Sequence, residues 1–393
     1  MSKRPAFPAP VMITTSEAVA SLCEKLRHEP FVTIDTEFVR EKTYWPKLCL
    51  VQLGGEEDVA IIDACAPGID LAPLAELLAE PTCTKVFHAA RQDLEIFLHL
   101  FGRLPVNVFD TQIAAMVAGF GEQIGYDSLV GSITGQSIDK THRFSDWAAR
   151  PLTPAQIAYA SADVTHLRDV YRQLRDQLKA QERVHWVEAE QAILGEEKTF
   201  RPDPRRLWEK LKARTHNRRV LAILRELAAW RELAAQRVDL PRQRLVRDES
   251  LLEIAAVKPR HAKGLARIRG ISAEFAAGAL GHELLEAIEI GEAVPEEDLP
   301  AVPYKKRSER PRPAPGVVAL LKVLLSARCE THRVAARLVA TSDDLERLAL
   351  GETELPVLHG WRRDVFGQEA LSLLAGEVSL SICEGKLHVE EAS

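Results

Sequence analysis

The stretch FVTIDTEF, residues 31–38, sets two carboxylates, Asp35 and Glu37, into a run that is otherwise apolar and β-branched. Such a composition reads as a β-strand. Side chains two apart on a strand share a face, so Asp35 and Glu37 point one way while Val32, Ile34 and Phe38 turn toward a core behind them. Two acids on one face have two explanations, a sheet edge facing water or a site that holds cations, and the pair by itself does not choose.

The flanking sequence extends the pattern. LCLVQLGG (48–55) and DVAIID (58–63) read as two further strands, separated by Pro, Gly and acidic loops. LAPLAELLAE (71–80) is helical, TKVFHA (84–89) a strand, and RQDLEIFLHLFG (91–102) a helix with Leu94, Phe97, Leu98 and Phe101 at core spacing. NVFD (107–110) is one more strand. Neighbouring strands followed by strand–helix alternation predict an α/β domain on a mixed sheet. Beyond residue 153 the chain becomes helical: Thr153, Pro154 and Gln156 supply a hydroxyl cap, a proline at the first helical position and a capping-box partner. A Pro-rich, charged stretch, GEAVPEEDLPAVPYKKRSERPRPAPG (291–316), has no periodicity and reads as a linker. The expected domains are 1–200, 201–295 and 316–393, with 296–315 joining the last two. The last two are read as all-α. Residues 250–270 and 343–364 share a helical pattern and length with little identity, the mark of a diverged repeat.

At 393 residues the chain exceeds what one core usually organises. No apolar run approaches the roughly 20 residues of a membrane span, and the N-terminal MSKRPAFPAP is followed by no apolar signal segment. The six cysteines are scattered without a CxxC pair, as in a reducing compartment, so a cytoplasmic protein without a membrane partner is expected. Charge is unevenly divided. Residues 1–200 carry 19 Lys and Arg against 28 Asp and Glu, whereas residues 201–270 carry 19 against 8. An acidic first part and a basic second part suggest chemistry in one domain and polyanion binding in another, or else a merely solvated Arg-rich helical surface.

Two more acids stand out. Asp93 lies in the first turn of its helix, where a carboxylate either caps the backbone or joins a site. Tyr159 and Asp163 are four apart on one helix face, flanking the apolar stripe of Ile157, Ala160, Val164, Leu167, Tyr171 and Leu174. A DxE strand, an Asp at a strand-to-helix turn and a helical YxxxD together resemble the DEDD superfamily of 3′→5′ exonucleases, in its tyrosine-bearing branch. TEFVREKTYWPKLCLVQL (36–53), KVFHAARQDLEIF (85–97) and SDWAARPLTPAQIAYASADVTHL (145–167) are similar to the ribonuclease D family. The likeness covers residues 10–180. It continues over 204–292, where LAAWRELAAQRVDLPRQRLVRDESLLEIAAVKPRHAKGLARIRGI (227–271) resembles the HRDC domain.

The resemblance implies a ribonuclease-H-like exonuclease domain followed by two helical HRDC-type domains. It implies a 3′→5′ exoribonuclease that releases nucleoside 5′-monophosphates, with tRNA precursors as the RNA partner and no obligate protein partner. Asp35 is expected to bridge two divalent cations, Mg²⁺ or Mn²⁺, with Glu37 and Asp163 completing one site, Asp93 supporting the other and Tyr159 orienting the attacking water. All-oxygen donors suit those ions, and four close carboxylates need them to stay ionised. Two cations some ~4 Å apart can clamp both reacting oxygens of an in-line displacement. RNA contacts are expected from Thr36, Phe38 and Gln92 near the terminal nucleotide and from Arg214, Arg218, Arg219 and Lys263 in the basic segment. Tyr44 and Trp45 could stack on a base or brace their loop, and His88 is more readily a loop-satisfying residue. The competing readings are a DNA exonuclease and a nucleic-acid-binding adaptor without catalysis.

Overall fold

The computed structural model describes residues 9–139, 141–143, 145–301 and 312–391. Residues 302–311, inside the expected linker, lie outside them. Residues 9–37, 49–195 and 312–391 form one compact unit; residues 38–48 and 196–301 form a second.

The first unit opens with β1 (Val11–Ile13), α1 (Ser16–Leu26), β2 (Phe31–Val39), β3 (Lys47–Gly54) and β4 (Val59–Asp63). It continues through α2 (Ala72–Ala79), β5 (Thr84–Phe87), α3 (Arg91–Phe101), β6 (Val108–Asp110), α4 (Thr111–Ala118), α5 (Tyr126–Thr134), α6 (Pro154–Ala180) and α7 (Val184–Gln191). The six strands run β1-β4-β3-β2-β5-β6. β1 pairs parallel with β4, β2 with β5 and β5 with β6, while β3 and β4 are antiparallel, so the sheet is mixed. β2 is central rather than an edge, and Phe31, Val32, Thr33 and Ile34 are all buried, so both of its faces are covered.

α6 lies across one face of this sheet. It starts where the local signals predict, with the full capping box of Thr153 and Gln156, and Ala160, Val164, Leu167 and Leu174 are buried beneath it. The Thr33 hydroxyl donates to the Val164 carbonyl at 2.8 Å, and Gly54 permits the approach: a Cβ there would stand 2.4 Å from Thr33 Oγ1 and 3.1 Å from Val164 O.

The second unit holds α8 (Arg218–Arg237), α9 (Arg242–Leu245), α10 (Asp248–Val257), α11 (Ala262–Leu265), α12 (Ala273–Ala277) and α13 (Ala279–Ala293). Leu221, Leu224 and Leu227 of α8 meet Leu251, Ile254, Leu284 and Ile288 in its core. Back in the first unit, residues 312–391 form α14 (Pro315–His332), α15 (Ala336–Val339), α16 (Ser342–Ala349) and α17 (Gly360–Arg362). A π turn over Arg363–Gly367 leads into α18 (Gln368–Ala375). The element order of α8 to α11 recurs here. In each case a long helix leads to a four-residue helix, one extended residue (Val246, Ala340), a cap and a further helix. Leu265, Ile268 and Ile271 correspond to Leu355, Leu358 and Trp361, all buried, with Gly270 and Gly360 at positive φ in matching places.

The expectation that this last segment is helical throughout is wrong. It ends in an antiparallel hairpin, β7 (Val378–Cys383) and β8 (Lys386–Glu391), whose turn residues Glu384 and Gly385 have φ of 51° and 77°. Two successive positive φ values make the two-residue turn that matches strand twist.

Gly54→Ala is expected to cost about 1–3 kcal/mol, because its new methyl meets backbone and a buried hydroxyl. Gly195→Ala, with nothing within 4 Å, is expected to change stability by less than about 0.5 kcal/mol. Urea unfolding of the two variants checks both values.

Candidate active site

Asp35 and Glu37 leave the central strand β2 on the face that α6 covers. Asp163, in the third turn of α6 after the Thr153 capping box, comes down to meet them. Carboxylate oxygens of Asp35, Glu37 and Asp163 lie within 4.8 Å of one another, the one such acidic group among the described residues. Because β2 is flanked on both sides, the solvent-edge explanation of the DxE pair falls.

Asp93 stands at the start of α3, buried, and lies outside that 4.8 Å group. Its carboxylate accepts its own backbone N–H in the first turn of α3, and its Oδ1 accepts the Thr36 hydroxyl of β2 at 2.5 Å. The approach to the helix is held by Asp110, which accepts from the Ala89 and Ala90 N–H groups at 3.0 and 2.9 Å and also caps α4 through the Gln112 N–H at 2.8 Å.

Negative charge is concentrated here. Burial pushes the Asp35 carboxyl up to about 6 against the pull of the Thr36 N–H. Glu37 is pushed up to about 10 by burial and then by Asp35, Asp163 and Asp93. Asp163 and Asp93 are raised well above the ordinary carboxylate range by burial and by Asp35. An all-oxygen, desolvated cluster of this kind fits hard divalent cations, which supply the missing positive charge.

Tyr159 sits one turn before Asp163, its ring against Trp147 with centroids 6.0 Å apart. Burial and the three neighbouring carboxylates push its hydroxyl above the usual phenol range, partly offset by Arg143. It is a proton donor at neutral pH and no base. Trp147 is held by Arg150, which donates to the Trp147 carbonyl and pairs with both oxygens of Asp63 on β4, at 2.7 and 2.6 Å.

The family comparisons agree with this geometry. A 3′-5′ exonuclease domain model matches residues 10–179 and an HRDC domain model residues 220–288. A ribonuclease D of Gluconacetobacter diazotrophicus is 61% identical over 377 residues, spanning 96% of this chain and 95% of its own. The chain belongs to the ribonuclease D family. Ribonuclease D of Granulibacter bethesdensis is 58% identical over 98% of this chain and 97% of its own. The crystal structure of Escherichia coli RNase D, described as an exoribonuclease involved in structured RNA processing, superposes with a TM-score of 0.77 at 32% identity, covering 94% of this chain and 99% of that one. Membership makes the protein a nuclease enzyme, a 3′→5′ exoribonuclease acting on nucleic acid.

Several residues expected to touch RNA are placed otherwise in this ribonuclease D fold. The Thr36 side chain is buried and committed to Asp93. Arg219 donates to the Glu292 and Val294 carbonyls at the end of α13, and Arg218 to those of Leu299 and Pro300 in the segment after it. Tyr44 is buried with its hydroxyl on Glu232, and half-buried Trp45 donates to the Gln236 carbonyl, so the polar atoms of both are engaged by α8. Gln92, Arg214 and Lys263 are exposed and Phe38 is half-buried. His88 shares a hydrogen bond with Thr111 at 3.0 Å, the loop-satisfying role. The sequence reading passed over Tyr126, whose buried hydroxyl donates to the Asp163 carbonyl at 2.5 Å and so fixes the turn that carries this acid. Its signal, a Tyr after Gly at a helix start, is too common to single out.

Acids whose folded pKa is raised bind protons more tightly in the folded state. The stability they confer is full below about 4, the unfolded carboxyl value, and drains away as pH rises through the folded values of about 6 for Asp35 and about 10 for Glu37. In EDTA the Tm is therefore expected to fall between pH 5 and 9, and Mn²⁺ is expected to flatten that slope in calorimetric scans. Tyr126→Phe removes one buried hydrogen bond from a carbonyl that keeps its place in the helix and is expected to cost about 0.5–1.5 kcal/mol in urea unfolding.

Proposed function

We propose that the chain trims RNA one nucleotide at a time from its 3′ end, releasing nucleoside 5′-monophosphates, with Asp35, Glu37, Asp93 and Asp163 holding two divalent cations, Mg²⁺ or Mn²⁺. The observation that carries this reading is the trio of desolvated carboxylates, Asp163 buried and Asp35 and Glu37 half-buried, with oxygens within 4.8 Å of one another. When bound, such cations stabilise the charge that develops on the attacking and leaving oxygens of the phosphodiester. The protein's own part is positional. The Asp35 charge acts on Glu37, Asp93 and Asp163 alike, which suits a bridging role. Tyr159, protonated and half-exposed, donates a hydrogen bond that orients the attacking water, while Trp147 restricts its ring. Thr36 holds the Asp93 carboxylate in one orientation.

The polymer is gripped elsewhere. Arg214, Lys263, Arg260, Arg267 and Arg269 are exposed on the basic second unit, where phosphate contacts give affinity without base readout. Phe38 and Gln92 lie beside Glu37 and Asp93 in the chain and are proposed to meet the terminal nucleotide. Structured cytoplasmic RNA with a 3′ extension, tRNA precursors in particular, is the proposed substrate class.

On 5′-labelled RNA in Mg²⁺, Asp35→Asn is expected to lose at least about 10²–10³-fold of the rate with the fold retained by circular dichroism. Tyr159→Phe is expected to lose about 10²-fold while keeping Mn²⁺ affinity. Full activity of purified Asp35→Asn, or faster trimming of a matched DNA strand than of RNA, contradicts the reading. Lys263→Ala is expected to weaken RNA binding evenly across sequences and to reduce the slope of log affinity against log salt by about 0.7–0.9.

A further inference from the structure

Gln52 lies in the middle of β3, 0% exposed, and among the described residues neither its carboxamide oxygen nor its nitrogen has a hydrogen-bond partner. A buried amide left unpaired is costly, of a kind that a fold retains for a reason. Its neighbours narrow what that reason is. Gly54, two residues on, faces α6 and lies opposite Thr33: a Cβ on it would meet Thr33 Oγ1 and the Val164 carbonyl. Gln52 shares that face of β3 by the two-residue alternation of a strand. β2 and β3 are neighbours joined by residues 40–46, a connection too short for a parallel crossover, so they run antiparallel. Stepping from Gly54 to Gln52 therefore steps from Thr33 to Asp35. One turn back along α6 from Val164 is Ala160, fully buried and small, so the helix offers this position only a methyl group. On its other side the ladder pairs Gln52 with Ile61, also buried and apolar. Of the polar groups on this face, the Thr33 hydroxyl is spent on the Val164 carbonyl and Asp63 is paired with Arg150, which leaves Asp35.

We propose that Gln52 is a positioning residue for Asp35: its carboxamide, without a partner in this structure, turns its N–H to one Asp35 carboxylate oxygen when cations occupy the site and so holds the other oxygen toward them. This rests on the cation-binding reading given above. The role suits a glutamine: its amide donates without adding charge, in a cluster already overloaded with negative charge. A carboxylate that ligates a metal gains basicity and a fixed orientation from such a donor, and loss of the donor typically lowers metal affinity by ~10–100-fold.

The test is Mn²⁺ calorimetry on the full chain without RNA, together with Tm in EDTA and steady-state kinetics. Gln52→Met, close in volume, is expected to bind Mn²⁺ about tenfold more weakly. Its kcat should be lower and its KM for RNA unchanged, with a metal-free Tm equal to or above that of the unaltered protein. A lowered Tm with unchanged Mn²⁺ affinity would mean that the residue is merely structural, and would overturn the proposal. Should Gln52→Met not fold, Gln52→Asn carries the test: its amide falls one methylene short, so affinity should drop, and unchanged affinity again overturns the idea. Failure of the unaltered protein to bind Mn²⁺ would remove the cation reading itself, an outcome distinct from normal binding that Gln52→Met leaves untouched.

Discussion

Three desolvated carboxylates held within 4.8 Å of one another are the constraint on which the catalytic half of the molecule turns. Such an arrangement is unfavourable by itself: desolvation and mutual repulsion push every member toward protonation. A chain tolerates it only where its packing elsewhere overdetermines the positions. Here that packing is visible. β2 is clamped in mid-sheet, α6 is pinned by the Thr33 hydroxyl and by Tyr126, and the entry to α3 is capped by Asp110. Each of these contacts fixes backbone next to an acid, so the acids cannot relax apart without unpicking buried hydrogen bonds.

The same logic separates the two functions of the chain. Repulsion among acids belongs to the compact first unit, where rigidity serves chemistry. The basic surface belongs to the second unit, where exposed Arg and Lys side chains suit a polymer bound through its phosphates. Within the first unit, residues 312–391 are built into the fold rather than trailing from it. Arg183 of the α6–α7 turn donates to the His332 and Arg333 carbonyls, Trp186 stacks on Trp361 at 4.5 Å, and Arg362 pairs with Glu190 at 2.6 Å. Gly119 admits the Arg333 carbonyl, where a side chain would stand 2.5 Å away. The C-terminal segment thus bears on α4 and α7, which support the helix carrying Tyr159 and Asp163.

Much of this was legible in the chain because it is written in local chemistry. The strands of the sheet follow β-branched runs, α6 begins at a complete capping box, and the acids stand out against apolar surroundings. What escaped depends on partners distant in sequence. That Asp110 would hold the Ala89 and Ala90 N–H groups ahead of Asp93 could not be read from either segment alone. Arg218 and Arg219 look like phosphate ligands in a basic stretch, yet carbonyls some eighty residues later use their donors. Tyr44 and Trp45 looked available for stacking until α8 took their polar atoms. The terminal hairpin was missed because its strands, SLSIC and KLHVEE, are short and follow a long helical run. Its Glu384–Gly385 turn lacks the Asn-Gly or Asp-Gly pair that usually marks this geometry.

The measurement closest to the central claim is anomalous diffraction from crystals of the chain grown with Mn²⁺ and non-hydrolysable RNA. Two peaks about 3.5–4 Å apart, with Asp35 contacting both, are predicted. Density for the RNA 3′ end between Asp35 and Tyr159 without a metal peak, or peaks that leave Asp35 unliganded, would contradict the account.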